Sequence, residues 1–283
     1  MGAVEAEKEY ILGTGDDELA RLGVQHRIWA DAAVGAWKRA GIGPGARVLD
    51  VGCGPGYATF DLAQLVSSEG AVVGVDESAR FVEYVNAQAR GRGLPRVSAV
   101  IGDVQKLQGA LTGQGSFDAA YARWTLCWLG RPELAVQGVA GALKPGGRFI
   151  VQDYFDWETM TIAPKTRAVD RLIGAARESF IERHADMDLC GKLPGIFRAA
   201  GLELAHFAAH PRVVRGGGSD STLAWPLTWW RTYGPKLVGM GKLSKAECDG
   251  ALEDLADLEK NPDRFFVCPT VYEFIGVRAA RRS

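Results

Sequence analysis

The chain has 283 residues, 47% hydrophobic and 24% charged, enough to bury a large core as one large domain or two small ones at about 150 residues per domain. Its 33 Lys plus Arg against 34 Asp plus Glu leave a net charge of −1, so no overall basic field draws it to nucleic acid or anionic lipid. Five cysteines (Cys53, Cys127, Cys190, Cys248, Cys268) are odd in number, scattered and never spaced C-x-x-C, which argues against a disulfide framework or structural zinc and for a reducing cytoplasm.

The opening MGAVEAEKEY lacks the basic-then-apolar order of a signal peptide. No run of about 18 apolar residues occurs, so no membrane association is expected. From Asp16 to Ala40, apolar residues at Leu19, Leu22, Trp29, Ala33 and Trp37 recur at helical spacing until GIGPG stops the pattern, which predicts one or two helices before the first strand. Five apolar runs bounded by turn residues then predict buried strands: RVLDV (47–51), AVVGVD (71–76), RVSAVIGD (96–103), FDAAYAR (117–123) and GRFIVQDY (147–154). Helical stretches at 57–66, 78–89 and 132–143 alternate with them. The pattern implies a parallel, doubly wound α/β sheet with right-handed crossovers.

After Tyr154 a long helical region covers 163–183, and KLPGIFRAAGLELAHF (192–207) reads as helix then strand. RGGGSDS (215–221) reads as a flexible loop, the stretch to Lys260 as helical, and FFVCPTVYEFIGVRA (265–279) as a last strand. The expected organisation is a helical cap over 1–40 and a single α/β domain over 41–283, with helical insertions at about 156–192 and 215–264 forming a lid.

VLDVGCGPGYAT (48–59) sets Gly52, Gly54 and Gly56 directly after the first strand, with Cys53 among them. Glycines there let a ligand approach backbone where a Cβ would collide, and aim helix N-terminal amides at it. Such glycines also serve plain tight turns, so the companions decide. Asp76 ends the second strand 26 residues after Asp50, near the offset at which a carboxylate accepts from ribose hydroxyls, with Glu77 beside it. Asp76 could instead cap the next helix, a task open to Ser78. Gly102-Asp103 ends the third strand, where Asp103 could accept from an adenine amine and Val104 pack on the ring. All three places lie at strand C-terminal ends, where open α/β sheets bind ligands, and together they favour an adenosine ligand. A dinucleotide would require Gly or Ala at the position of Tyr57.

In order and spacing, VLDVGCGPG, GVDES, IGDVQKL, FDAAYARWTLCWL and LKPGGRFIVQDY resemble the class I S-adenosylmethionine-dependent methyltransferases over residues 40 to 155. That resemblance implies a Rossmann-like seven-stranded sheet with an antiparallel last strand formed around 265–277. It also implies that Asp50 and the Gly52–Gly56 loop hold the methionine portion, Asp76 the ribose, Asp103 and Val104 the adenine, with Arg123 near the methionine portion or the substrate. The product would be S-adenosylhomocysteine. YILGTGDDELARLGVQHRIW is similar to the N-terminal part of quinone-biosynthesis and natural-product methyltransferases, which makes Tyr10, Gln25, His26 and Trp29 candidates to line the pocket; Trp29 could equally be helix core, and Gln25 and His26 could face solvent.

Methyl transfer from a sulfonium needs chiefly alignment and exclusion of water. The sequence accordingly shows no Ser-His-Asp pattern, no H-E-x-x-H and no metal-ligand cluster. A hydroxyl or acidic-carbon acceptor would gain from a base, and His26 is the first candidate, with His184 and Tyr10 behind it. His206 and His210 read as structural; Asp153 and Tyr154 face the reaction side in topology. Trp225, Trp229, Trp230 and Tyr233 in TLAWPLTWWRTYG, with Trp124 and Trp128, either face an aromatic or hydrophobic acceptor or pack the insertion. No N-P-P-Y or D-P-P-Y stands at the fourth-strand end, so a small molecule, not a flipped base, is the expected acceptor. An S-adenosylmethionine-binding protein without turnover and a nicotinamide-dependent oxidoreductase are the alternatives. Oligomeric state is not legible from the sequence.

Overall fold

The computed structural model describes residues 13–107, 111 and 117–279. One helix, α1 (Asp16–Arg39), precedes the sheet; Asp16, Asp17 and Glu18 sit at its positive end and Lys38 and Arg39 at its negative end. Its two halves bury different faces. Ala33, Ala36 and Trp37 join the core beneath the sheet, whereas Trp29 and Ala32 join the core of the helical insertions. α1 is therefore the clamp between the two.

Strands β1 (Arg47–Val51), β2 (Ala71–Asp76), β3 (Val97–Ile101), β4 (Phe117–Arg123) and β5 (Leu143–Tyr154) alternate with α2 (Tyr57–Val66), α3 (Ala79–Gly91) and α4 (Pro132–Ala142). Then come β6 (Thr161–Ala163), α5 (Arg167–Glu182), α6 (Leu193–Ala199), β7 (Leu202–His210), β8 (Val213–Arg215), α7 (Ala224–Gly239), α8 (Lys245–Asp257), β9 (Phe265–Val267) and β10 (Val271–Arg278). The main sheet runs β3-β2-β1-β4-β5-β10-β7, and the order reverses beside β1, the switch point at which such sheets bind ligands. β1 to β5 pair in parallel, and β10 is antiparallel to both β5 and β7. Central strands read as continuous apolar runs because helices cover both faces: Val48, Leu49 and Val51 are all fully buried.

The last strand differs from the expected one. Residues 265–267 form β9, the centre of a three-stranded sheet with β6 and β8, and only Val271–Arg278 joins the main sheet. Pro269 lies between them and has no N–H to give to a ladder. The 215–221 loop also differs. Gly216 N–H donates to Arg264 O at 2.8 Å and Gly217 N–H to Leu258 O at 2.9 Å. A Cβ on Gly216 would lie 2.4 Å from Asn261 O, so this glycine serves close backbone packing rather than flexibility.

Candidate cofactor and acceptor site

A cavity of about 500 Å³ opens at the C-terminal ends of β1 to β5, between the sheet, α1 and α7. Its floor is the glycine loop. Gly52, Gly54 and Gly56 all take left-handed backbone, at φ 69°, 52° and 81°, a conformation that costs L side chains roughly 1–2 kcal/mol. A Cβ on Gly52 would meet Thr125 at 2.4 Å and one on Gly56 would meet Val85 at 2.7 Å, but one on Gly54 would meet nothing within 4 Å. Gly54 thus leaves the open place that an approaching ligand needs.

Asp76 accepts from Gly54 N–H at 2.8 Å and Ser78 N–H at 2.9 Å, so it braces the loop as well as lining the cavity, while Ser78 caps α3 through Phe81 N–H. Burial raises its carboxyl pKa, an effect that the two backbone bonds oppose. Asp103 lines the adjoining wall and accepts from Gln105 N–H at 2.9 Å; Glu77 and the buried Val104 line it too. Asp50 lies deepest. It accepts from Thr59 Oγ1 at 2.6 Å, and desolvation pushes its carboxyl up to about 6, with Thr59 and Arg123 pulling the other way. Burial also pushes the Cys53 thiol well up, so this residue is a neutral piece of wall.

Arg123 ends β4 in the same cavity. Its guanidinium stands over the Trp124 ring at 4.8 Å, one terminal nitrogen, Nη2, lies 2.8 Å from His26 Nδ1, and the other, Nη1, is buried with no partner. A guanidinium only donates, so His26 Nδ1 accepts, and Nε2 must carry the hydrogen that it gives to Asp61 Oδ2 at 2.9 Å. Burial lowers the His26 pKa and Asp61 opposes this. The imidazole lines the cavity with both nitrogens engaged, Nδ1 by Arg123 and Nε2 by Asp61.

Gln25 lines the cavity as well. Its carbonyl oxygen accepts from Arg21 Nη1 at 2.9 Å and from Trp225 Nε1 at 3.1 Å, leaving the amide NH₂ as its group for a ligand. Tyr57 gives its hydroxyl hydrogen to Leu19 O at 2.8 Å and docks α1 onto α2. His184 is exposed in a left-handed turn after α5 and is not among the residues that line the cavity. Tyr10 lies outside the described residues.

Beyond Arg123 the cavity turns aromatic. Trp124 stacks on Trp225 at 5.8 Å and on Tyr154 at 6.2 Å, and Trp128, Trp229 and Trp230 line the same space. Tyr233 and Trp29 instead pack in the core, Tyr233 sharing a 2.7 Å hydrogen bond with Ser179. Trp157, Met160 and Phe180 also line this half and were not singled out in the sequence; the signal was an aromatic residue three positions past the fifth strand.

Asp153, expected to face the reaction, is fully buried behind the wall, where it accepts from Cys127 N–H at 3.1 Å and Tyr154 N–H at 3.0 Å. Desolvation pushes its carboxyl up to about 6. The folded state thus holds its proton more tightly than the unfolded state, and this group costs stability as pH rises from about 4 to about 6. Asp153→Asn is expected to gain on the wild type by about 1–2 kcal/mol between about pH 5 and about pH 8 in urea unfolding. An unchanged difference across that range would contradict the burial argument.

An α/β sheet with a glycine loop at its switch point, carboxylates at the ends of the next two strands and a half-buried guanidinium at the end of the fourth places the chain in the Rossmann-like class. The methyltransferase-domain family matches residues 42–188, more than half of the chain. The chain belongs to that family, the class I S-adenosylmethionine-dependent methyltransferases. It is similar to a probable methyltransferase, ltbC, of Aspergillus luteorubrus, at 27% identity over 62% of this chain and 65% of that one. It is similar also to the 2-phytyl-1,4-naphtoquinone methyltransferase of Synechocystis sp., at 34% identity over 46% and 52% of the two chains. The chain thus spans less than two thirds of either relative. The geranyl diphosphate C-methyltransferase of Streptomyces coelicolor A3(2) shares the fold, with a TM-score of 0.55 at 14% identity over 90% of this chain and 77% of that one.

The donor set fits the family's cofactor, S-adenosylmethionine. Asp50, Asp76, Glu77 and Asp103 suit a ligand with a sulfonium, an ammonium and sugar hydroxyls and would repel a diphosphate, while the unpartnered Arg123 Nη1 suits a carboxylate. Among the described residues no His, Cys, Asp and Glu group could hold a metal, and no helix is long and apolar enough to cross a membrane.

Proposed function

We propose that the chain transfers a methyl group from S-adenosylmethionine to a small aromatic or hydrophobic acceptor. The observation that carries this reading is the continuity of one cavity from an anionic, glycine-floored half to an aromatic half, with Arg123 and Trp124 at the junction. The similarity to a naphtoquinone methyltransferase supports a small planar acceptor.

When bound, the cofactor supplies a methyl group on a sulfonium that is already a good leaving group. Asp76 would accept from the ribose hydroxyls, Asp103 from the adenine amine with Val104 against the ring, and Arg123 Nη1 would bind the methionine carboxylate. Gly54 leaves room for the chain of the ligand, and the buried Asp50 contributes negative charge below it. Trp124, Trp225 and Tyr154 would hold a planar acceptor in line and keep water out, which is most of what this reaction asks of a protein. The insertions at 156–192 and 215–264 would act as the lid of that half, and 1–40 as a cap. We place the protein in the cytoplasm, a reading supported by five free, buried cysteines, and take its partner to be a small molecule rather than a nucleic acid.

The test is transfer of label from methyl-labelled S-adenosylmethionine to a panel of naphthols, quinols and phenolic acids. Label in an organic-extractable product of at least one member is expected. Binding of S-adenosylhomocysteine with no transfer to any member would favour a cofactor-binding protein without turnover.

A further inference from the structure

We propose that Asp61 and His26 are a positioning pair that holds the Arg123 guanidinium against the cofactor, so that cofactor affinity falls when His26 gains a proton. The proposal rests on the cofactor reading above. Arg123 leaves β4 with a long, rotatable side chain, and among the groups that hold its head are the Trp124 ring, His26 Nδ1, Tyr121 and the Asp50 carboxyl. Nη2 given to His26 leaves Nη1 as the buried nitrogen without a partner, which is the nitrogen available to the ligand. Asp61 on α2 completes the arrangement by accepting from Nε2, which keeps the hydrogen off Nδ1. The ring is held flat by Tyr57, stacked at 5.8 Å. Beside the direct lining by Gln25, α1 therefore acts on the cofactor site through a residue of another element 97 positions away.

Protonation reverses the contact. An imidazolium donates at both nitrogens, so it cannot accept from Arg123, and two cations would then face each other. The groups around the ring are Asp61 and Tyr57 on α2, Arg123 on β4 and Arg27 on α1; Asp50 faces Arg123 from beneath the loop. Burial and the two arginines favour the neutral ring and Asp61 favours the charged one. The cofactor-bound form needs the neutral ring, so affinity is full at the higher pH and is lost as pH falls through the His26 pKa.

The experiment is calorimetric titration of the full chain with S-adenosylhomocysteine from about pH 8 to about pH 5.5, on wild type, His26→Asn and His26→Leu, with the thermal midpoint of each. Wild type is expected to weaken severalfold more than His26→Asn over that range, by less than about 10-fold because burial holds the His26 ring below its usual pKa. His26→Leu should bind about 10-fold more weakly at about pH 8, because the guanidinium loses its acceptor. His26→Asn, whose carbonyl can accept from Arg123, should stay within about 3-fold of wild type at about pH 8 and fall less steeply than wild type at lower pH, keeping only the pH dependence that Asp50 in the same cavity gives. Nitrogen-15 spectra of histidine-labelled protein should show His26 with hydrogen on Nε2 alone. Equal affinity in all three proteins at every pH, or hydrogen on Nδ1, overturns the pair, and absence of binding to wild type overturns the cofactor reading beneath it. Should His26→Leu fail to fold, the Asn variant and the spectra decide.

Discussion

Replacement of Arg123 by leucine is expected to weaken S-adenosylhomocysteine binding by about 100-fold, roughly 2.7 kcal/mol, while the protein stays folded. Charge-assisted hydrogen bonds contribute about 1.5–3 kcal/mol each, and here the donor is a buried nitrogen with no hydrogen-bond partner among the described residues. The loss should be larger than that of any single carboxylate on the adenosine side, because Asp76 and Asp103 already satisfy backbone amides and share their lone pairs. Leucine fills comparable space against Trp124, and it takes a donor from the neutral His26 Nδ1 and a nearby positive charge from the buried Asp50. Titration calorimetry reads the change directly. A variant that binds within about 3-fold of wild type would mean that the guanidinium does not meet the cofactor.

Glu273→Leu is expected to cost about 3 kcal/mol of stability, measured as urea unfolding. Glu273 is fully buried at the centre of β10, facing Arg39 through a two-point contact at 2.9 and 2.8 Å, His210 at 2.8 Å and Gln152 at 3.2 Å. Gln152 in turn accepts from the Tyr121 hydroxyl at 2.8 Å and donates to Ala32 O at 3.2 Å, so one carboxylate ties α1 and three strands of the sheet. The figure sits at the low end for a broken buried pair because the Arg39 side chain is 40% exposed and can find water. Leucine would leave Gln152 and His210 short of an acceptor in the middle of the sheet. Glu273→Gln, which keeps an acceptor without the charge, should fall between leucine and wild type. Equal stability of the leucine variant would show that α1 is held by its apolar face alone.

Much of the sheet was legible in the sequence because a parallel strand buried on both faces is a short apolar run closed by glycine or aspartate. Three of the five expected parallel strands match to the residue, 47–51, 71–76 and 117–123. The strands β6 and β8 were not legible, since three residues carry no periodicity and exist only through pairing with β9. β9 itself was merged with β10 because both alternate, and only Pro269 marks the break. The cofactor half was legible because its groups stand at strand ends, a place that topology fixes. Local sequence could not show that His26 would meet Arg123 and Asp61, since their contacts span 97 and 35 positions and depend on how α1 crosses the sheet. The aromatic half was readable as composition but not as geometry: Trp225 and Trp229 face the cavity, and Tyr233, one further turn along the same helix, faces the core.

The whole reading of the site rests on S-adenosylmethionine entering the anionic, glycine-floored cavity. Calorimetric titration of the purified protein with S-adenosylmethionine, S-adenosylhomocysteine and NAD, repeated on Asp76→Ala, tests it most directly. Both sulfur compounds are expected to bind with dissociation constants on the order of micromolar, NAD not to bind, and the variant to lose about 10-fold or more in affinity. Binding of NAD, or of neither sulfur compound, would contradict it.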